Sequence, residues 1–237
     1  MEKELFKKIV NNYVSREGVD RLMAMLDRTD FYEAPASKNY HSNFPGGLVH
    51  HSLLNYSSLW DLIGVLAFNQ GLTISLIIPK LKVGDVLTQE ELEKVQTVLV
   101  KVLKSKVVTL ESIVICGLFH DLHKLNYYEK VDKPVFKGYD ESGKKIFEHE
   151  EQYKDREDQF VFGLDGTNSN YLIQSCMKLN YEEAIAIENH MGYISRMGLL
   201  PSASKAWTKS KLAALLHIAD MMAAYVYESS GLFKEKS

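Results

Sequence analysis

The sequence predicts an all-α domain carrying one small β-hairpin insertion. Apolar residues recur at helical spacing over most of the chain, as at Leu5, Ile9 and Tyr13, or at Val19, Leu22, Met23 and Leu26. Two of the apolar runs open on helix-start signals. Thr88 with Glu91, and Asn180 with Glu183, have the three-residue offset of a capping box. One stretch follows neither rule: Val135-Phe136 and Ile146-Phe147 flank Asp140-Glu141-Ser142-Gly143, which reads as strand, turn, strand.

Taken in order, two helices occupy residues 1–30. Between Thr29 and Gly47 the period disappears, and Pro35, Pro45, Gly46 and Gly47 mark a long loop. Leu48 to Phe68 reads as a long amphipathic helix. The most apolar run, Leu72 to Leu81, is far below the roughly 20 residues a membrane span needs, and Pro79 and Lys80 interrupt it. Thr88 opens a helix that runs to about Lys104, and Leu110 to Lys124 is a mostly apolar, central helix. The hairpin insertion takes residues 131–148, and the polar stretch Glu148 to Asp158 reads as exposed chain. Helices follow at Ser169 to Leu179 and Tyr181 to Met191, a loop at Pro201 to Trp207, and a last helix from Ser210 to Tyr227. No repeat, low-complexity tract or linker divides residues 1–237, which read as one domain.

Composition narrows the class. Hydrophobic residues make up 46% and charged residues 25% of the 237, an ordinary globular balance. A formal net charge of −3 supplies no basic field for long duplex nucleic acid. Cys116 and Cys176 are too few and too distant for a disulfide framework, so a reducing cytoplasm is the expected compartment. Met1-Glu2-Lys3-Glu4 lacks the basic-then-apolar pattern of a signal peptide, and no membrane association is expected.

The unusual residues are polar ones inside apolar helices. Asp220 lies among Leu215, Ile218, Ala219 and Met221, where one helix face must be core. An unpaired carboxylate there is very costly. His120-Asp121 ends the apolar run from Ile113 to Phe119, and His51 follows Gly46-Gly47 at the start of the long helix. Adjacent helical side chains point about 100° apart. His120 and Asp121 therefore reach one ion only if it sits over the helix end. Imidazole with carboxylate suits one or two divalent ions of Mn, Fe, Co, Ni, Mg or Zn. A buried salt-bridge cluster is the alternative, and such clusters seldom add stability.

The order His51, His120-Asp121, Asp220 resembles the HD superfamily of metal-dependent phosphohydrolases. The glycine pair before the first histidine, the apolar helix before the His-Asp pair, the lysine three residues later (Lys124) and the late Ala219-Asp220 all belong to that resemblance. It covers roughly Tyr40 to Tyr227 and is nearest to the HD domains of 3'→5' exoribonucleases and of small bacterial and phage hydrolases. It implies an HD-type helical bundle in which His51, His120, Asp121 and Asp220 bind a metal. His190, in Glu188-Asn189-His190-Met191-Gly192, resembles the further histidine of two-metal subfamilies. Those relatives carry a Gly-His pair after the hairpin. Here the segment reads Phe162-Gly163-Leu164-Asp165-Gly166, and Asp165 is the candidate replacement.

The resemblance implies cleavage of a phosphoester in a nucleotide or short oligonucleotide. Alternatives are 3'→5' exonuclease action on a single strand, or a nucleotide-binding module without catalysis. Asp121 is the expected bridging or water-orienting group. Lys124, three residues on, is a phosphate contact, and His123 a phosphate contact or proton carrier. In the loop before His51, Tyr40 and His41 form a candidate substrate wall, alongside Tyr32 and Phe44, although a solvated loop position is the plainer reading of His41. Arg196 and Lys205 follow His190 and are candidate phosphate contacts. His50 and His217 are expected to be hydrogen-bonded core histidines, with His217 one turn from Asp220 and placed to orient a ligand.

Overall fold

A computed structural model describes residues 1–195, 198–199 and 202–228, apart from the side chains of 194–195 and 198–199. Ten α-helices occupy about half of these residues, and the longest strands form one hairpin. The spine is α3 (Gly47–Phe68), which packs against α6 (Leu110–Phe119) and α10 (Lys211–Met221). Leu48, Leu59, Trp60 and Ile63 on α3 are wholly buried. Burying each such side chain contributes roughly 1.5–3 kcal/mol relative to leaving it exposed. On α6 every residue from Ser112 to Phe119 is buried, the all-round apolarity of a central helix.

The N-terminal helices α1 (Glu2–Tyr13) and α2 (Val19–Leu26) close one side, with Phe6 edge-on to Phe31 and Phe119. Between them Arg16 binds Glu111 on α6 and Glu183 on α8 (Tyr181–Glu188), at 2.9 and 2.5 Å. Glu183 is fully buried, and the pairing, with the Ser112 hydroxyl donating at 2.6 Å, satisfies it. The hydrogen bond to Glu183 raises the Arg16 pKa. Both expected capping boxes are present, at Thr88 on α5 (Gln89–Leu103) and at Asn180 on α8.

Several boundaries differ from the sequence reading, each for a local reason. The helix expected to run to Lys124 stops at Phe119. Asp121 leaves helical geometry (φ −104°, ψ 20°), and Leu122–Lys124 form a 3₁₀ turn. The hairpin is longer than 131–148, with β1 (Tyr128–Tyr139) paired to β2 (Lys145–Asp155). The polar stretch after 148 is therefore mostly strand. Cross-strand ion pairs such as Lys130–Glu151 and Lys154–Glu129 replace the apolar alternation that a sequence reading needs. α7 is Asp165–Gln174 rather than 169–179. Its start is set by the Asn168 side chain, which accepts the main-chain N–H groups of Phe162 and Gly163. α8 stops at Glu188, so His190 lies in the turn beyond it. The expected loop at 201–207 holds α9 (Ala203–Lys209), and the short α4 (Ile78–Lys82) lies within the apolar run before Thr88. β3 (Ile194–Ser195) pairs with β4 (Gly198–Leu199), and α10 widens at its end into a π-helical turn, Met222–Tyr227. The two cysteines are free thiols.

Candidate metal centre

The ends of four elements meet where the ionisable residues lie. His51 is the fifth residue of α3, His120 and Asp121 lie just past α6, His190 just past α8, and Asp220 on α10. Gly47 lets the preceding loop close over His51, since a Cβ at 47 would fall 2.0 Å from the Ser42 carbonyl oxygen. His51, His120, Asp121, His123, Asp165 and His190 are all buried, and Asp220 is 16% exposed.

Four donor atoms face one another. Asp220 Oδ1 is 3.0 Å from His51 Nε2 and 3.8 Å from His120 Nε2. Asp121 Oδ2 is 3.5 Å from His51 Nε2 and 3.6 Å from His120 Nε2. Metal–ligand bonds of about 2.0–2.2 Å place neighbouring donors about 3.0 Å apart at a right angle and about 3.4 Å apart at the tetrahedral angle. The donor set and its spacing fit a divalent cation.

The outer ring nitrogens are tied down as ligand histidines require. His51 Nδ1–H donates to Glu228 Oε1 at 2.8 Å, His120 Nδ1–H to the Gly117 carbonyl at 3.2 Å, and His190 Nδ1–H to the Ile187 carbonyl at 2.6 Å. Each ring then turns Nε2 toward the carboxylates. Burial alone lowers the His51 pKa, but its hydrogen bonds to Asp220 and Glu228 outweigh burial and bring it up to about 9. Burial likewise raises the Asp121 and Asp220 carboxyls. For Asp121 the charges of Lys124 and His120 outweigh it, and for Asp220 the hydrogen bonds of His120 and His51 do. Both are held well below the usual carboxylate range.

Asp121 turns its other oxygen to a second group. Oδ1 lies 3.3 Å from His190 Nε2 and 3.6 Å from His123 Nδ1. Asp121 Oδ1 and His190 Nε2 are both buried and make no hydrogen bond despite their proximity. Burial lowers the His190 pKa, but the Asp121 carboxylate beside it outweighs this and raises it, and a cation between the two groups could take the place of that proton. Donor atoms of Asp121, His123 and His190 lie within 4.8 Å of one another, as do those of His51, His120 and Asp220. Burial takes the His123 pKa down to about 3, so its ring is neutral at pH 7. His123 also meets Ser169 Oγ at 3.3 Å, and its Nε2 is 4.0 Å from Asp165 Oδ1. Asp165 thus borders the second group through His123.

The remaining sequence candidates divide. Lys124 Nζ sits 2.6 Å from Asp121 Oδ2; burial lowers its pKa, but the charge of Asp121 more than offsets this and raises it. His41 is not a solvated loop residue. Its ring is 5.0 Å from His51, and its buried Nε2 has no hydrogen-bond partner. Burial and the charge of His51 bring the His41 pKa down to about 4. Tyr40 is 81% exposed and points to solvent rather than forming a wall. Tyr32 packs edge-on against Phe6 and Phe31, and Phe44 against His50. Lys205 lies exposed on α9, and Arg196 falls outside the described residues. His50 and His217 are hydrogen-bonded as expected, to Glu2 Oε1 and to the His190 carbonyl, each at 2.6 Å, but both are half-buried rather than in the core.

Sequence reading missed three neighbours of the candidate ligands. Glu228 links His51 to the Ser42 hydroxyl. Asn55, fully buried, puts its amide nitrogen 3.0 Å from His120 Nε2. The one available signal was that His51 needs an acceptor for Nδ1.

Compared with known proteins, the chain matches no family model, no curated protein and no solved structure. No helix among the described residues is long and apolar enough to cross a membrane.

Proposed function

We propose that this chain is a metal-dependent phosphohydrolase of the HD type, cleaving a phosphoester of a nucleotide or short oligonucleotide. The observation that carries the reading is the set of four facing donors on His51, His120, Asp121 and Asp220, separated by 3.0–3.8 Å. These residues would hold one divalent ion, and Asp121 Oδ1, His190 and His123 a second, with Asp165 beside it. A bound divalent ion supplies Lewis acidity toward a phosphoryl oxygen and makes water nucleophilic near neutral pH.

The protein groups have separable roles in this scheme. Asp121 would offer one oxygen to each position, Oδ2 beside His51 and His120 and Oδ1 beside His190 and His123. Lys124 Nζ holds the charge of Asp121 and is the nearest cation for a substrate phosphate oxygen. His41 Nε2, at the side of His51 and without a protein partner, is left to hydrogen-bond a substrate oxygen. Glu228 and the Gly117 and Ile187 carbonyls keep the ligand histidines in one tautomer.

A screen of the metal-loaded protein against nucleotides, cyclic nucleotides and short RNA and DNA tests the reading. Release of phosphate or nucleoside is expected, and Asp121→Ala is expected to fall to the no-enzyme rate with its helical circular dichroism intact. A metal-loaded protein inert across the screen, or Asp121→Ala turning over like wild type, would contradict it.

A further inference from the structure

We infer that His217 is a positioning residue for His190 and thereby sets how tightly the second ion position is held. The inference rests on the metal reading and adds a side chain outside both donor groups. His217 lies on α10, three residues before Asp220. Its Nδ1–H donates to the main-chain carbonyl of His190 at 2.6 Å.

Two neighbours hold the His217 ring. It stacks on Trp207, with centroids 4.7 Å apart and planes at 19°, and Trp207 in turn meets Tyr193 edge-on at 5.2 Å. Gly192 lies against the ring as well, and a Cβ there would fall 2.7 Å from His217 Cε1. An imidazole so confined fixes the main chain of the turn at 190, where helical hydrogen bonding has already ended. The ring of His190 is anchored in its turn by Nδ1–H to Ile187 O at 2.6 Å. The two bonds together determine where Nε2 stands, 3.3 Å from Asp121 Oδ1. His217 also ties the helix bearing Asp220 to the turn bearing His190, so the two ion positions share one frame.

Removing a group that orients a metal-binding histidine typically weakens metal affinity about 10–100-fold. The test is titration of Mn²⁺ into the full, chelator-stripped chain against a chromophoric competitor, with bound metal counted by elemental analysis. Wild type is expected to bind two ions. His217→Ala is expected to keep the tighter ion within about 2-fold and to weaken the other by about 10–100-fold. His217→Asn, whose amide N–H replaces Nδ1–H on the same γ carbon, is expected to restore it. Should His217→Ala fail to fold, His217→Gln, with its donor one carbon further out, is expected to lose the second ion where His217→Asn keeps it.

A folded His217→Ala that binds both ions like wild type overturns the role of His217 alone. Equal weakening of both ions, not rescued by His217→Asn, shows a merely structural residue and overturns it too. A wild-type chain that binds a single ion removes the second position and this inference with it. A wild-type chain that binds none overturns the metal reading itself.

Discussion

Glu228 shows at the scale of one residue why part of this site was hidden in the sequence. His51, His120, Asp121 and Asp220 stand out because ionisable groups interrupt apolar helical runs, where an unpaired charge would be costly. Glu228 interrupts nothing. It follows the apolar period of the last helix and reaches His51 only because the π-helical turn carries it there. Asn55 and Ser42 are hidden for the same reason, as uncharged polar residues without a periodic signature. Tyr40 and His41 are neighbours in a loop with no period, so sequence could not say which of them faces the site. The structure selects His41. A carboxylate behind a ligand histidine raises the basicity of the ring and fixes its tautomer. Glu228→Gln is therefore expected to weaken divalent-metal affinity by about 10–100-fold in competition titrations, with an unchanged circular dichroism spectrum. Wild-type affinity in that variant would remove Glu228 from the account.

Among the elements, α3 and α6 must approach closely, because His51 and His120 stand at their ends. Gly117 permits the approach. A Cβ at that position would lie 3.0 Å from the Tyr56 Cα on α3, and helix backbone cannot move aside cheaply. Gly117→Ala is expected to cost about 1–3 kcal/mol in urea unfolding and to weaken metal binding by moving His120. A variant of wild-type stability would mean that this contact is looser than drawn. Arg16 does comparable work between the N-terminal helices and α8. Arg16→Gln leaves Glu183 buried beside too little positive charge, a loss of about 3–5 kcal/mol. Equilibrium denaturation measures it, and a change below 1 kcal/mol would show that Ser112 and the Asn180 main chain suffice. The helices themselves were legible from apolar period and capping boxes. Their ends were not, where a side chain's bond to chain outside the helix decides them, as with Asn168 in α7 and the main chain of Phe162 and Gly163. The break after Phe119 is the most consequential of these. It lets His120 and Asp121 meet over a helix end, as adjacent residues inside a helix cannot.

Over the whole molecule, a mostly helical protein with one hairpin was legible, because apolar spacing survives any uncertainty about boundaries. The hairpin's extent was not, since its base is held by ion pairs such as Lys130–Glu151 and Lys154–Glu129 rather than by apolar alternation. At about 3.4 Å per residue its strands run nearly 40 Å, and they pack chiefly against each other. The helical body is organised differently. A continuous apolar cluster runs from Phe6 on α1 to Ala219 on α10, and the buried acids and imidazoles gather at the helix ends beside it. Such a gathering is costly to desolvate unless something offsets its charges, and a divalent ion would also bind α3, α6 and α10 together. The most direct measurement is therefore the metal content of the purified chain after equilibration with excess divalent ion and removal of the free metal. At least one ion per chain is expected, and near-complete loss in Asp220→Asn. A folded wild-type chain that retains only traces would contradict the account.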